Sequence, residues 1–248
     1  MLRNRTLIYT VVLLMIFQNG LLSGLVIAQS SALQEALVVR KCDDFDVTGK
    51  GDNDQWSKIS WTLLTKLDEG SGGYESKFKI LYSPKGIYVL FQSKDDKITT
   101  KEYKDFENIF NGDVVEVFFH TNPQIKVYFE YEVNPLGKEL ILAISNLDGQ
   151  NHKGWIPWRQ NSGIIKRVDV IGGEKKVNGT IQSWSAEIFF PYGVLGLLPN
   201  VPPKSGTQWN ANFCRLDYDT GKMIKWSWTS TIEKSFHELE KFHSIKFE

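Results

Sequence analysis

Short segments of alternating apolar and polar residues recur along this chain, and each one ends at a turn sequence. Residues 77–82 alternate, the sequence Ser-Pro-Lys-Gly follows at 83–86, and residues 87–92 form a second strand-like run. Alternation with a period of two places successive side chains on opposite faces of a strand. The pattern therefore predicts β-hairpins, and it excludes a helical bundle as the main architecture.

The same hairpin pattern continues to the end of the chain. Further strands are predicted at 114–120, 128–133, 139–144, 164–171, 180–190, 209–218, 223–228 and 242–247. A single short helix is predicted at 192–198, directly after Pro191. We expect an all-β fold: an antiparallel β-sandwich of two packed sheets, jelly-roll or immunoglobulin-like, with one short helix.

The beginning of the chain has the composition of an export signal. Arg3 and Arg5 precede an apolar run at 7–17, and Val26-Ile27-Ala28 ends in a small residue before Gln29. An uncleaved membrane anchor is the alternative, because the charge-free stretch is long enough to span a bilayer. The polar residues at 18–20 interrupt the apolar run and favour cleavage.

These features predict three regions: a signal peptide at 1–28, a lead-in at 29–40 and one domain at 41–248. The domain is expected to be secreted or periplasmic, with no membrane attachment after cleavage. Export exposes Cys42 and Cys214 to an oxidising compartment, where they could pair. Two separate buried thiols are the interpretation we favour.

The charge balance narrows the class of function. Lysine plus arginine and aspartate plus glutamate each number 29. The chain therefore lacks the basic excess with which nucleic-acid-binding proteins neutralise phosphates, and no nucleic-acid partner is expected. The four histidines include no closely spaced metal-binding pair.

Two predicted strands, 114–120 and 128–133, each combine an apolar face with a face of acids and aromatic residues. The acidic and amide side chains on this second face are Glu116 from the first strand, and Glu130, Glu132 and the following Asn134 from the second. An ordinary exposed face would hold more Lys and Thr. The pattern therefore suggests a platform for a polar ligand, with an ordinary solvent face as the alternative.

Aromatic residues also occur in polar loops. Phe110 precedes one of these strands, and Phe236 precedes the last strand. Trp155 and Trp158 lie together in a third loop. Sugar rings pack their C–H faces on aromatic planes while their hydroxyls need polar partners, so such loops are candidates for a sugar clamp. A cap over the edge of the core is the alternative for each.

Six sequence blocks, in order, carry a resemblance to a known family. They are Gly-Asp-Asn-Asp-Gln-Trp at 51–56, Gly-Asp-Val-Val-Glu-Val-Phe-Phe at 112–119, Tyr-Phe-Glu-Tyr-Glu-Val-Asn at 128–134, Trp-Ser-Ala-Glu-Ile-Phe-Phe-Pro at 184–191, Trp-Asn-Ala-Asn-Phe-Cys-Arg at 209–215, and a closing segment at 226–242. Together they resemble carbohydrate-binding module family 9 and its DOMON-like relatives. The resemblance covers 42–248 and implies a β-sandwich that binds sugar chains without catalysis.

The resemblance also implies site residues. It places Phe110 and Phe236 at the two clamp positions, where related modules usually carry Trp, and Glu116 and Asn212 at positions that hydrogen-bond sugar hydroxyls. Glu233 falls where an amide is usual, and Glu130 where a basic residue can occur. These two departures make the site more acidic. A different saccharide, or loss of binding, is therefore expected. Asn134 is expected as a further hydroxyl contact.

Some members of the family hold structural calcium. By resemblance Asp52 and Asp54 would be its ligands, since calcium favours carboxylate oxygens. A turn with an N-terminal helix cap is the interpretation we favour. No other cofactor is expected.

The leading hypothesis is a non-catalytic carbohydrate-binding protein acting beside polysaccharide-degrading enzymes. Two alternatives stay open. Some DOMON-like proteins hold b-type haem through Met and His, for which Met223 with His237 or His243 are the available ligands. A glycoside hydrolase would use Glu116 with Glu130 or Glu132 as its carboxyl pair.

Overall fold

A computed structural model describes residues 35–68, 74–147, 151–158 and 161–248. These residues form fourteen β-strands, one short α-helix and three 3-10 turns. The predicted signal peptide at 1–28 lies outside the described residues. Within the described part of the chain, no helix has the length and apolar character needed to cross a bilayer.

The strands are short and follow the alternating segments of the sequence. They are β1 (Leu37–Lys41), β2 (Thr62–Leu63), β3 (Thr65–Lys66), β4 (Ser76–Tyr82), β5 (Gly86–Lys94), β6 (Val114–His120), β7 (Val127–Val133), β8 (Glu139–Ser145), β9 (Lys153–Trp155), β10 (Ile165–Ile171), β11 (Ser183–Pro191), β12 (Gln208–Asp217), β13 (Ile224–Ser227) and β14 (His243–Phe247). The ten predicted strands are all present, with ends shifted by no more than three residues. β1, β2, β3 and β9 were not predicted, and β1 lies mostly within the predicted lead-in.

The helical segments differ from the sequence expectation. The segment predicted as the one short helix is a 3-10 turn at Tyr192–Leu195. The α-helix is α1 (Asp54–Ser57), whose first turn is capped by the side chain of Asn53. It is only four residues long, too short to show a helical period in the sequence.

The strands form one mixed sheet curled into a half-barrel, in the order β10-β11-β5-β4-β1-β14-β12-β6-β7-β8-β9. β1 joins the two halves, because residues 37–39 pair with β14 and residues 40–41 pair with β4. Both pairings are parallel, whereas the sequence predicted only antiparallel strands. All other pairings between the named strands are antiparallel.

The main core lies between the two halves of the sheet. Phe78 on β4 stacks on Phe213 of β12, with ring centroids 3.8 Å apart. Phe190 on β11 meets Phe119 of β6 edge-on at 5.7 Å. Both arrangements are favoured between aromatic rings. The predicted apolar face of β6 lies in this core.

The opposite face of β6 and β7 is also buried, which differs from the exposed platform or solvent face that the sequence suggested. Residues 229–242, here called the covering segment, place Ile232, Phe236 and Phe242 in a second apolar cluster. Phe118 of β6 and Tyr128 of β7 belong to the same cluster. The acidic side chains of these strands are therefore shielded from bulk water.

Candidate functional site

A cavity of about 380 Å³ lies at the acidic face of β6 and β7, beside the covering segment. This volume falls within the range of small-molecule sites, roughly 300–1,000 Å³. The carboxyl groups that line it are those of Glu116, Glu130 and Glu132, here called the acidic floor. Its apolar walls are Phe110, Leu142, Ile144, Leu216, Met223 and Phe236.

The acidic floor is a consequence of strand register. Glu116 on β6 is the Cα partner of Glu132 on β7, and Glu130 lies two residues along the same face. All three side chains are buried: Glu116 is 4% exposed, Glu130 is 3% exposed and Glu132 is 1% exposed. Two adjacent strands with alternating side chains thus concentrate three carboxyl groups in one buried region.

Burial raises the pKa of all three floor carboxyls, since an apolar environment disfavours the charged form. The pKa of Glu130 rises to about 8. Repulsion from Glu130 further raises the pKa of Glu116, and repulsion from Glu116 and Glu130 does the same for Glu132. A protonated carboxyl both donates and accepts hydrogen bonds, as sugar hydroxyls require.

Two oxygens of the acidic floor receive no hydrogen bond from another group of the described residues. They are the buried Oε2 atoms of Glu130 and Glu132, whose carboxyls can hydrogen-bond only to each other, once one of them is protonated. Leaving a buried polar atom unpaired costs about 1–3 kcal/mol, so such atoms are uncommon and call for an explanation. At the bottom of a cavity, such atoms can be reached by water or by a polar ligand.

The two predicted clamp residues line this same cavity but are not equivalent. Phe110 lies in the 3-10 turn Ile109–Asn111, is partly exposed, and its carbonyl accepts a hydrogen bond from the Tyr218 hydroxyl at 2.8 Å. Phe236 is 7% exposed and packs into the second apolar cluster. Phe110 therefore offers ring surface to a ligand, whereas Phe236 mainly supports the wall.

The loop that carries Phe236 is organised by Glu238, which the sequence analysis did not single out. Its Oε1 accepts backbone N–H groups from Glu233, Lys234 and Ser235, and its Oε2 lies 2.8 Å from the Lys241 ammonium. Burial opposes ionisation, but these hydrogen bonds outweigh it and lower the pKa of Glu238 to about 2. The Ser-x-x-Glu spacing of a capping box is the signal that could have revealed it.

His237 lies at the edge of the cavity in a neutral form. Its Nδ1 is 2.8 Å from the Tyr128 hydroxyl and 3.9 Å from Glu130 Oε2. Burial, with a smaller contribution from His152 stacked at 3.7 Å, lowers the pKa of His237 to about 3. The contact with Glu130, whose pKa is raised, is therefore not an ion pair near neutral pH.

Of the three residues considered as haem ligands, two line the cavity and one does not. Met223 and His237 both line the cavity, but the Nδ1 of His237 is already engaged by the Tyr128 hydroxyl. His243 instead packs edge-on against Trp228, with centroids 5.0 Å apart.

Three of the predicted contact residues do not line the cavity. Asn134 accepts two backbone N–H groups of the β7–β8 turn. Asn212 accepts the Ser227 hydroxyl and two backbone N–H groups. Glu233 is exposed and lies 3.3 Å from the ammonium of Lys241. Each of these side chains has a local structural role.

The acidic floor also holds the carboxyl groups considered for a glycoside hydrolase. A retaining glycosidase needs one protonated acid and one ionised nucleophile, so the environments of its two carboxyls must push their pKa values apart. Burial raises the pKa of all three, while the hydrogen bond between Glu130 and Glu132 lowers the pKa of Glu130 and raises that of Glu132. With a pKa of about 8, Glu130 is still protonated near neutral pH, so the floor there presents hydrogen-bonding carboxyl groups.

A second acidic group lies away from this cavity. Carboxylate oxygens of Asp95, Asp113 and Asp219 are within 4.8 Å of one another, the only such trio that the described residues provide. Arg215 pairs with Asp95 at 2.9 Å and with Asp217 at 2.6 Å. Oxygen ligands suit calcium, so this trio is where the described residues could hold such an ion.

The aspartates expected for calcium by resemblance are placed differently. Asp54 lies in the first turn of α1, and Asp52 accepts the Thr48 hydroxyl at 2.7 Å. The favoured alternative, a turn with an N-terminal cap, is present, and Asn53 is the capping residue. Cys42 and Cys214 are both buried free thiols.

Comparison with known proteins identifies relatives. The family model of carbohydrate-binding family 9 matches residues 55–247. A protein from Bacteroides uniformis, described provisionally as carbohydrate-binding, is similar with a TM-score of 0.70 and 16% identity, covering 86% of this chain and 99% of that one. No curated protein matches this chain significantly.

Two structures of a family 9 module from Caldicellulosiruptor kristjanssonii are also similar. The complex with glucose has a TM-score of 0.57 and 14% identity, covering 85% of this chain and 95% of that one. The complex with cellotriose has a TM-score of 0.56 and 15% identity, covering 86% and 94%. At these identities the likeness shows a shared fold.

Proposed function

Because this chain belongs to carbohydrate-binding family 9, we propose that it binds a saccharide without transforming it. The site is the cavity between Phe110 and the acidic floor. One observation carries the proposal: a single cavity joins a partly exposed aromatic ring to buried carboxyl oxygens that receive no hydrogen bond from another group of the described residues. A pyranose needs both, since its C–H face packs on apolar surface and its hydroxyls require hydrogen bonds.

Phe110 supplies the stacking surface of the aromatic clamp. Phe236 forms part of the apolar wall of the cavity and is held there by the second apolar cluster. Glu116, Glu130 and Glu132 supply hydrogen bonds from the floor. Asn134, Asn212 and Glu233 act indirectly, by holding the turns and strands around the site. This division keeps the clamp that the family resemblance implies and reassigns three of its expected polar contacts to structural support.

Export is part of the proposal. Residues 1–28 have the features of a signal peptide, and a protein that binds polysaccharide outside the cytoplasm would act beside polysaccharide-degrading enzymes. Mass spectrometry of the protein recovered from its native compartment should find an N-terminus near residue 29. An intact Met1 on the exported protein would argue for an anchor instead.

The binding test uses calorimetric titration of the purified protein. Glucose and cellotriose are suitable first probes, because the similar modules were crystallised with them. The Phe110→Ala variant should weaken saccharide binding at least 10-fold. Trp155→Ala is the matched control, since Trp155 is an exposed aromatic residue outside this cavity.

A glycan array extends the test to other saccharides. If no glycan binds, the proposal is wrong. If binding survives Phe110→Ala and is lost in Trp155→Ala, the saccharide site lies on the groove that Trp155 lines with Trp158 and Leu197.

A further inference from the structure

The acidic floor concentrates three carboxyl groups, each of which can ionise in addition to forming hydrogen bonds. Three carboxyl groups share one small cavity, and Glu130 and Glu132 are 97% and 99% buried, with one oxygen each that receives no hydrogen bond from another group of the described residues. A neutral saccharide presents hydroxyls, which pair weakly with a carboxylate compared with a charged donor. Near neutral pH burial keeps these carboxyls protonated, so a cationic donor would bind with release of protons from the floor and form a charged pair that a neutral saccharide cannot form.

No cationic side chain of the described residues pairs with the carboxyl groups of this floor. In the described residues, the only basic side chain that forms an ion-pair contact with Glu116, Glu130 or Glu132 is His237, at 3.9 Å. His237 is held neutral by burial. Lys225 and Lys234 also line the cavity, but neither comes within 4 Å of a floor carboxylate.

A metal ion does not fit the spacing of these groups. Among the described residues, only Asp95, Asp113 and Asp219 bring three ligand oxygens within 4.8 Å of one another. The three glutamates of the floor are too dispersed to surround one ion together. A cavity of about 380 Å³ also has room for a molecule rather than a bare ion.

The walls indicate what kind of molecule carries the charge. Phe110, Leu142 and Leu216 provide apolar surface above the floor, which suits the C–H face of a sugar ring. The faces of aromatic rings also attract cations. An ammonium group attached to a pyranose would reach the carboxyls while its ring contacts these walls.

We propose that the ligand of this cavity is an amino sugar, an oligosaccharide whose terminal residue carries a free primary ammonium group. This inference rests on the proposed saccharide function and names its ligand class. The ammonium donates hydrogen bonds to the buried Oε2 atoms of Glu130 and Glu132, which ionise as it binds. Glu116 adds a third carboxyl group beside them.

The test compares three trisaccharides of the same length and linkage by calorimetry at about pH 6.5 and low salt. They are the fully deacetylated glucosamine trimer, its N-acetylated form and cellotriose. The deacetylated trimer should bind at least 10-fold more tightly than the other two. Its affinity should fall as salt is added, because the charged pair is screened.

Two variants test the role of the floor. Glu132→Gln and Glu130→Gln keep the side-chain shape and remove the capacity to ionise, and each should remove most of the preference for the deacetylated trimer. Glu102→Gln is the matched control, because Glu102 is exposed and does not line the cavity. A thermal melt of each variant verifies that it is folded.

The outcomes separate this inference from the proposed function. If cellotriose binds as tightly as the deacetylated trimer, the saccharide function stands and the amino-sugar inference is wrong. If the preference persists in both glutamine variants, the floor is not its origin, and the inference is again overturned. If no saccharide binds, both proposals fall.

Discussion

Glu116 and Glu132 are directly opposed on the neighbouring strands β6 and β7, and both are buried. Like charges at directly opposed positions destabilise a sheet. Their burial, and the repulsion among the floor carboxyls, raise the pKa of both groups. The fold therefore carries a destabilising group of carboxyls on the buried face of β6 and β7.

Glu132→Gln should stabilise the free protein. The amide keeps the shape of the side chain and removes the cost of holding a carboxyl protonated at a pH where the unfolded chain has released its proton, so the free energy of unfolding at pH 8 should rise by about 1–3 kcal/mol. Urea unfolding of both proteins measures this change. Glu233→Gln should leave the value within about 0.5 kcal/mol. A loss of stability in Glu132→Gln would mean that the ionised group is favoured in the fold.

Stability should fall as the pH rises above neutrality. Glu130 and Asp113 each have a pKa of about 8 in the fold, mainly because of burial, whereas unfolded carboxyls titrate near about pH 4. From about pH 7 to 8.5 the native state retains protons that the unfolded chain has released, so stability decreases with pH.

Titration of the buried histidines changes stability in the opposite direction, and it does so at lower pH. The pKa of His237 is lowered to about 3, so its unfavourable contribution grows only as the pH falls below about 6.5. Melting temperatures across the alkaline range measure the carboxyl effect alone, and Asp113→Asn should reduce the slope. A melting temperature that rises from pH 7 to 8.5 would contradict this account.

The two clamp phenylalanines should respond differently to truncation. Phe236→Ala leaves a hole in the second apolar cluster and should cost about 3–5 kcal/mol of unfolding free energy. Phe110→Ala removes a partly exposed ring and should cost less, about 1–2 kcal/mol. Chemical denaturation distinguishes them. Equal costs would show that Phe110 is as much a core residue as Phe236.

Removing Arg215 should be strongly destabilising. It is fully buried with Asp95 and Asp217, and its loss leaves two buried acids uncompensated. Breaking such a network typically costs about 3–5 kcal/mol, which we expect for Arg215→Met at neutral pH. Arg167→Met, at an exposed position, is the control and should change the unfolding free energy by less than about 0.5 kcal/mol. A similar effect of both variants would contradict the expectation.

Glu238 should control ligand affinity without contacting the ligand. Glu238→Gln weakens the three backbone hydrogen bonds that shape the loop before Phe236. Amide exchange of Glu233, Lys234 and Ser235 should become at least 10-fold faster, and saccharide affinity should fall. Glu240→Gln, at an exposed position nearby, should change neither. Faster exchange with unchanged affinity would separate the loop from the site.

Much of the fold was predictable because strand formation here is local. Alternation and turn residues located all ten expected strands, and the period of two correctly placed Glu116, Glu130 and Glu132 on shared faces. β1 was not predicted, since its five residues lack a turn partner and depend on β4 and β14, which are distant in sequence.

The site was less predictable because its closure is tertiary. The sequence could not show that the covering segment buries the acidic face, or that Phe236 packs inside it. Asn134 and Asn212 resembled ligand contacts, but backbone N–H groups occupy their oxygens. For Asn134 these groups belong to the turn that directly follows it, so its Asn-Pro sequence was itself a turn signal. For Asn212 one of them belongs to Thr229, which only the folded sheet brings close.

The parallel pairing of β1 with β14 places residues 37–39 beside residues 245–247. The side of β1 that pairs with β4 can close early, whereas the side that pairs with β14 stays open until the strand at 243–247 has been synthesised. Joining the two halves of the sheet therefore depends on a contact between residues about 200 positions apart, and contacts of such high sequence separation slow folding.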